Sequence, residues 1–152
     1  MSKANQRMVK KHPEAVHPYL EHIRIYGLLY LQVFESGKLN RIGFGVRRLN
    51  NTIGPAELWF AENGIITCEK WMVNGRYHRA NGPAIIIRGG KGKIQLAEYC
   101  RHGLRHRMSG PALLRYDLKG KVVQKIFAIN GVDFSADEWH KLQDARLVGP
   151  YA

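Results

Sequence analysis

Apolar residues in this chain fall in short runs broken by glycine, not at the helical spacing of three and four. The runs A-E-L-W-F, A-I-I-I-R and A-L-L-R-Y, beginning at Ala56, Ala84 and Ala112, are β-branched and aromatic, the composition of half-buried strands. G-P precedes each, so Pro55, Pro83 and Pro111 stand at strand entry, where a missing N–H does least harm. Behind each run come a lone glycine (Gly64, Gly92, Gly120), an aromatic (Trp71, Tyr99, Phe127) and a turn pair (Asn74-Gly75, His102-Gly103, Asn130-Gly131). Every set recurs at 28 residues without a gap, which makes 54–131 three tandem units. Each unit reads as a hairpin, one strand running to the lone glycine and the second to the aromatic, closed by the turn pair.

Upstream, I-R-I-Y-G-L-L-Y-L-Q-V-F, S-G-K and L-N-R-I-G-F-G-V-R-R-L within 23–49 read as a diverged fourth hairpin, slipped by one residue. The period stops at Ser135, where S-A-D-E matches a capping box and opens a helix of roughly 136 to 146 in the C-terminal segment 135–147. Trp139, Leu142 and Leu147 are expected to face the sheet from it. Residues 1–11 read as a mobile basic arm, and P-E-A-V-H-P-Y-L-E-H as a short helical turn interrupted by Pro18. The fold expected for 1–152 is a single, mainly β domain. It is an antiparallel meander of about eight strands, an open twisted sheet or a partly closed barrel, capped by one helix.

Charge changes the picture most. Lys and Arg number 24 against 12 Asp and Glu, a net +12 that favours polyanionic partners. From Lys70 to Arg115 there are ten basic residues and one acid, Glu98, so the excess sits on the repeats. No apolar run approaches the roughly 18 residues of a membrane span, and the basic start lacks the apolar core of a secretory signal, so the chain reads as cytoplasmic, without a membrane role. Cys68 and Cys100 stand 32 apart with no CxxC, and are expected to pack as small apolar residues instead of forming a disulfide or holding a metal.

The pattern N-G-x-x-H-R-x-x-G-P-A, followed by a β-branched strand, resembles a repeat found in proteins of large bacteriophages and giant viruses, described as a variant of the MORN repeat. It covers Gly54 to Asn130, about half the chain. An acid often precedes G-P-A in that repeat; here Asn81 and Ser109 stand there, which leaves the His-Arg pairs without an obvious local partner. A basic single-domain protein of this kind is similar to RNA-binding proteins of nucleus-forming phages, which implies a phage-encoded protein in the host cytoplasm with RNA as ligand.

The residues support the same chemistry. Equal positions in successive hairpins lie two strand spacings apart, about 9.5 Å, so in-phase basic residues form rows. Two such charges repel by only about 0.4 kcal/mol in water, which a folded sheet tolerates. Guanidinium groups match phosphate and stack on bases, and aromatic rings offer platforms to unpaired bases. The candidate nucleic-acid-binding residues are Arg76, Tyr77, His78, Arg79, Arg88, Arg101, Arg105, His106, Arg107, Arg115 and Tyr116. For His78-Arg79 and His106-Arg107, turn structure and ligand contact are both open. Trp71, Tyr99 and Phe127 share one repeat position and are expected in the core.

The chain is therefore expected to bind RNA, or single-stranded DNA, with low sequence specificity and without enzymatic activity, cofactor or metal. A repeat-based protein-interaction module of a viral or phage assembly is the alternative, with a viral protein or a second copy as partner. A histidine-dependent nuclease comes third. His78 and His106 suit general acid and base chemistry, but their equal repeat positions explain them without it.

Overall fold

In a computed structural model, which describes residues 1–148 and the side chains of residues 1–145, the repeats form one continuous sheet with a second row of small hairpins beside it. The N-terminal part is helical: α1 (Lys3–Lys11), α2 (Pro13–Val16), a 3-10 turn (His17–Tyr19) and α3 (Leu20–Tyr26). Thirteen strands follow: β1 (Leu28–Val33), β2 (Leu39–Phe44), β3 (Glu57–Phe60), β4 (Ile66–Lys70), β5 (Met72–Val73), β6 (Arg76–Tyr77), β7 (Ile85–Arg88), β8 (Ile94–Glu98), β9 (Cys100–Arg101), β10 (Leu104–Arg105), β11 (Leu113–Tyr116), β12 (Val122–Ile129) and β13 (Val132–Phe134). The last described element is α4 (Ala136–Val148). The fold is mainly β, as expected. Nine strands pair antiparallel in the order β1-β2-β3-β4-β7-β8-β11-β12-β13, an open sheet that does not close into a barrel.

The long hairpins turn identically four times. The N–H groups of Phe34, Ala61, Gly89 and Asp117 donate to the carbonyls of Lys38, Ile65, Lys93 and Lys121, and their own carbonyls accept from the turn glycines, Gly37, Gly64, Gly92 and Gly120, whose φ is 80 to 90°. The first turn precedes the second by 27 residues where the others are 28 apart, the one-residue slip of the diverged copy. The units differ from expectation in holding two hairpins each. Asn74-Gly75 and His102-Gly103 close no main-sheet strand; each tips a second hairpin with two residues per strand, β5–β6 and β9–β10. Both residues of each pair have positive φ, 51° and 76° at Asn74-Gly75, the geometry of the tightest hairpin turn. In the third unit β12 runs straight on, so its tip at Asn130-Gly131 joins β12 to β13 within the sheet.

Residues that pair across strands share a face. Leu31, Ile42 and Leu58 share one, and with Val16, Leu28 and Phe44 they form the principal core beneath the N-terminal helices. The G-P-A alanines, Ala56, Ala84 and Ala112, are fully buried, which explains the small residue at the repeat's most constant place. Residues 3 to 11, expected as a mobile arm, are helix α1: Met8 and Val9 pack on the core, and Asn5 Nδ2 donates to the Leu28 and Leu29 carbonyls at 3.0 and 3.1 Å. An amphipathic pattern in so short and basic a stretch is hidden until there is a core for it to meet. The capping box is made as expected, Ser135 N–H donating to Glu138 Oε2 and Glu138 N–H to Ser135 Oγ. Trp139 is buried against Phe127, whereas Leu142 is exposed, and the side chain of Leu147 lies outside the described residues. Cys68 and Cys100 are buried and free, and burial pushes the Cys100 thiol up to about 11.

On the opposite face a charged node joins the diverged hairpin to the first regular unit. Glu57, fully buried, accepts from the Tyr30 hydroxyl and from Arg41, whose Nε lies at 2.6 Å, and its Oε2 lies 2.8 Å from Lys70 Nζ. The Arg41 guanidinium and Lys70 ammonium both lie over the Trp59 ring, at 4.6 and 4.9 Å. Burial would raise the Glu57 carboxyl, but donors from Lys70, Tyr30, Trp59 and Arg41 overcome it and hold it at about 2. Ile85 and Leu113 take this position in the later units, so the node is particular to this junction. Glu57→Ala should destabilise the fold by about 3 kcal/mol in chemical denaturation, because Arg41 and Lys70 lose their shared counter-charge. Since the carboxyl is depressed on folding, its contribution is present above its unfolded value near 4.5 and lost as pH falls toward 2; Glu57→Gln should flatten that part of the acid-stability curve.

Candidate nucleic-acid interface

Both His-Arg pairs make contacts that hold the units together, and the repeat shows how. The Arg79 guanidinium stacks 3.8 Å over Trp71 and its Nη1 donates to the Pro83 carbonyl at 3.1 Å; Arg107 does the same with Tyr99 at 3.9 Å and Pro111 at 3.0 Å. Before the first regular unit the equal position is Asn51, fully buried, whose Nδ2 reaches the Pro55 carbonyl at 2.9 Å. After the last unit the aromatic Phe127 is stacked by Trp139 of α4 instead, at 4.8 Å between ring centroids. The arginines' partners are therefore a ring of their own unit and the strand-entry proline carbonyl of the next, not an acid before G-P-A.

The histidines join units. His78 Nδ1 accepts from the His102 backbone N–H at 3.2 Å, and His106 Nδ1 from Asn130 N–H at 3.1 Å. Asn50 Oδ1 does this for Asn74 N–H at 3.0 Å. The neighbouring glycine N–H donates in parallel, Gly75 to Leu49, Gly103 to Tyr77 and Gly131 to Arg105, each at 2.8 Å. Each turn pair is thus clasped at both N–H groups by the unit before it. An accepting Nδ1 requires the neutral ring with its proton on Nε2. Burial, then His102 and Arg101, lower the His78 pKa and favour that form.

The clasp sets the walls of a cleft. An open space of about 950 Å³ lies beside the first small hairpin and reaches the tip of the second at His102, and its lining includes Arg48, Trp71, Arg76, His78, Arg79 and His102 with no carboxylate. The stem of Arg48 runs across the next turn, so that a Cβ at Gly75 would lie 3.0 Å from Arg48 Cδ. Arg76 lies across Gly103 in the same way, and Leu104 across Gly131. Glycine at the tip therefore serves both positive φ and the passage of the arginine stem. Asn74 and Asn81 add amides to the cleft, and the rings of His78 and His102 lie 4.5 Å apart within it.

The eleven candidate residues are divided by this geometry. Arg76, His78 and Arg79 line the cleft, and Arg101 is exposed on the neighbouring hairpin. Arg115 is exposed on the main sheet, between Leu96 and Gln124 in register, with half-buried Tyr116 after it. Tyr77 is half-buried, its carbonyl engaged by Gly103. Two arginines are neutralised inside the protein: Arg88 lies 2.6 Å from Glu69, and Arg105 lies 3.0 Å from Glu98 and 3.5 Å from Asp133. His106 and Arg107 serve the second junction. Arg48, His102 and Asn74 were not among the candidates. Arg48 was legible, standing 28 residues before Arg76 in the same phase, but it falls outside the three regular units. Among the described residues no group of three or more His, Cys, Asp or Glu is placed to hold a metal ion.

The stretch before the first regular unit supplies a natural substitute for the clasp histidine. His78→Asn, copying Asn50, should keep stability within about 0.5 kcal/mol, whereas His78→Ala should cost about 1 kcal/mol in denaturant titration, the net worth of one hydrogen bond. Because the His78 pKa is lowered on folding, its contribution is full above the ordinary histidine value of 6.5 and declines as pH falls below it. Wild type should therefore lose more stability than His78→Asn between neutral pH and mild acid.

Compared with protein-family models, with curated proteins and with solved structures, the chain finds no match.

Proposed function

We propose that the protein is a non-enzymatic binder of single-stranded nucleic acid, RNA in the first place, acting with low sequence specificity in the cytoplasm. The observation that carries this reading is the cleft, where three arginines and two histidines meet without an acid while Arg88 and Arg105 are matched to carboxylates elsewhere. A fold that neutralises some arginines and gathers others has left a surface for an anion. Arg48 and Arg76, with stems fixed on the turn glycines, are suited to phosphates; the Asn74 and Asn81 amides and the imidazoles present donors and acceptors to base edges. Arg101 and Arg115 are exposed and form no ion pair among the described residues, and they extend the path toward later units.

A flexible strand suits this site better than a duplex. The surface is a cleft among hairpin tips, and α4, the C-terminal helix, opens with Asp137 and Glu138, which repel a phosphate groove. The reading agrees with the resemblance to RNA-binding phage proteins seen in the repeat motif. No helix among the described residues is long and apolar enough to cross a membrane.

Binding of a fluorescein-labelled oligouridine measured by anisotropy across a salt series tests the reading. Four neutralised phosphates on a single strand give a slope of log K against log salt near −2.8, about −0.7 for each. The double variant Arg48→Ala, Arg76→Ala should bring it to about −1.4, two phosphates fewer. Lys10→Ala with Lys11→Ala, the same loss of charge on α1, should leave it unchanged. Absence of binding at low salt, or equal slopes for both double variants, rejects the cleft as the site.

A further inference from the structure

The three regular units present the same outer edge on their second long strand, and two of these edges are filled. Glu69 of β4 is paired with Ile86 of β7, and Ala97 of β8 with Leu114 of β11. The N–H groups of Trp71 and Tyr99 donate to Ala84 and Ala112, each at 2.7 Å. In the third unit the equal positions are Lys125 and Phe127 of β12. There β13 covers only Phe127 to Ile129, and among the described residues no strand pairs with the outer side of Val122–Ile126. The Ile126 carbonyl is directed inward, accepting from Ala112 N–H at 2.7 Å, so alternation along the ladder turns the N–H and C=O of Lys125 outward. At the other end of the sheet Asn5 of α1 donates to the Leu28 and Leu29 carbonyls at the start of β1.

An edge strand left open is a template for another chain, and natural sheets guard such edges with lysine. Lys119, Lys121 and Lys125 are exposed here beside Val123, itself 62% exposed. The one nearby acid, Asp117, accepts from the Lys119 and Lys121 backbone N–H groups at 2.9 Å and is held at the turn. These lysines oppose a second copy, because β12 against β12 would set lysines against lysines on chains of net +12. The same charges select an acidic strand.

We propose that the outer edge of β12 takes an extended segment of a partner protein by strand addition, with one carboxylate placed against Lys125, a second against Val123 between Lys125 and Lys121, and an apolar residue opposite Ile126. The filled edges supply the register. Ile85 and Leu113 lie opposite Lys70 and Glu98, the counterparts of Ile126, and Ile86 and Leu114 lie opposite the counterparts of Lys125. Strand addition of this kind draws affinity from main-chain hydrogen bonds and selectivity from alternate side chains. It rests on the sheet edge and not on the cleft, so it stands or falls apart from nucleic-acid binding.

The probe is a labelled peptide copying this chain's own Gly82–Gly89 with Ile86→Glu and Arg88→Glu, titrated with the full chain and followed by anisotropy. Saturable binding is expected, with the Lys125 amide becoming protected from hydrogen exchange. Lys125→Pro removes the outward N–H from an edge position where proline is tolerated, and should weaken binding by about tenfold, the weight of one hydrogen bond, while thermal unfolding is little changed. Lys119→Ala, an equal loss of charge off the strand, should leave affinity unchanged. Should Lys125→Pro fail to fold, Lys125→Glu tests the same edge: it should reject the acidic peptide and accept one carrying Lys at both substituted positions. No saturable binding, equal affinity of Lys125→Pro and Lys119→Ala, or concentration-dependent self-association that Lys125→Pro abolishes would each overturn the proposal, the last by giving the edge to a second copy.

Discussion

A hairpin with two residues in each strand has almost no stability of its own in water, yet this protein carries a row of them. Each persists because the preceding unit grips its tip. The two turn residues of the tightest hairpin must both adopt positive φ, which directs their N–H groups away from the hairpin that made them. The clasp of Asn50, His78 or His106, with the carbonyl just before it, satisfies both groups. Much follows from that single constraint. The 28-residue period must be kept without insertion, because a shift of one residue would bring an N–H to a side chain with no acceptor. Histidine and asparagine are interchangeable at the clasp because both offer an acceptor at the right reach. The cleft has its shape because consecutive hairpins are held at a fixed separation with an arginine stem across each glycine.

The repeat was legible because hairpins are local. Turn chemistry, the strand-entry proline and the buried alanine all act within one unit, and they imprint the same residues at the same phase. Contacts set by register between units left no such imprint. Arg88 and Glu69 are neighbours because β4 and β7 align, and nothing in R-G-G or C-E-K announces it. Arg105 meets Glu98 because a two-residue hairpin folds back at His102-Gly103, a turn that also reads as a unit boundary. That double meaning is why Asn-Gly was taken to end a unit and not to tip a second hairpin. The Glu57 node was hidden for a similar reason, since Tyr30, Arg41 and Lys70 come from three strands. Rows of in-phase arginines were a sound expectation of spacing, but spacing is silent on whether a guanidinium faces phosphate, a tryptophan ring or a carboxylate.

Charge is handled in two ways by the same sheet. Glu57, Glu69, Glu98 and Asp133 each face a cation of the fold, so these four of the chain's 12 acids are matched within the protein. A cluster like that around Glu57 is costly to desolvate and is tolerated because both carboxylate oxygens face cations. Its effect on the outside is an unbalanced surface: the more acids are matched inward, the less they screen the exposed arginines from a passing polyanion. Matching within the sheet and attraction outside it are thus one arrangement of charge seen from two sides.

The two ends of the array are finished differently, and the difference bears on what the protein can join. At the start, α1 lies against β1 and Asn5 takes the Leu28 and Leu29 carbonyls. At the finish, Trp139 replaces the arginine that would stack on the repeat aromatic, and Ser135 stands where that arginine would be. The stack is closed in this way, but the ladder is not, because β13 is too short to cover β12. A cap that served only to prevent aggregation would have covered the backbone before the ring. Here the ring is covered and the backbone is left to lysines. The open edge belongs to the last unit and the cleft lies at the start of the array, so the two ligands proposed above would occupy separate places on the fold.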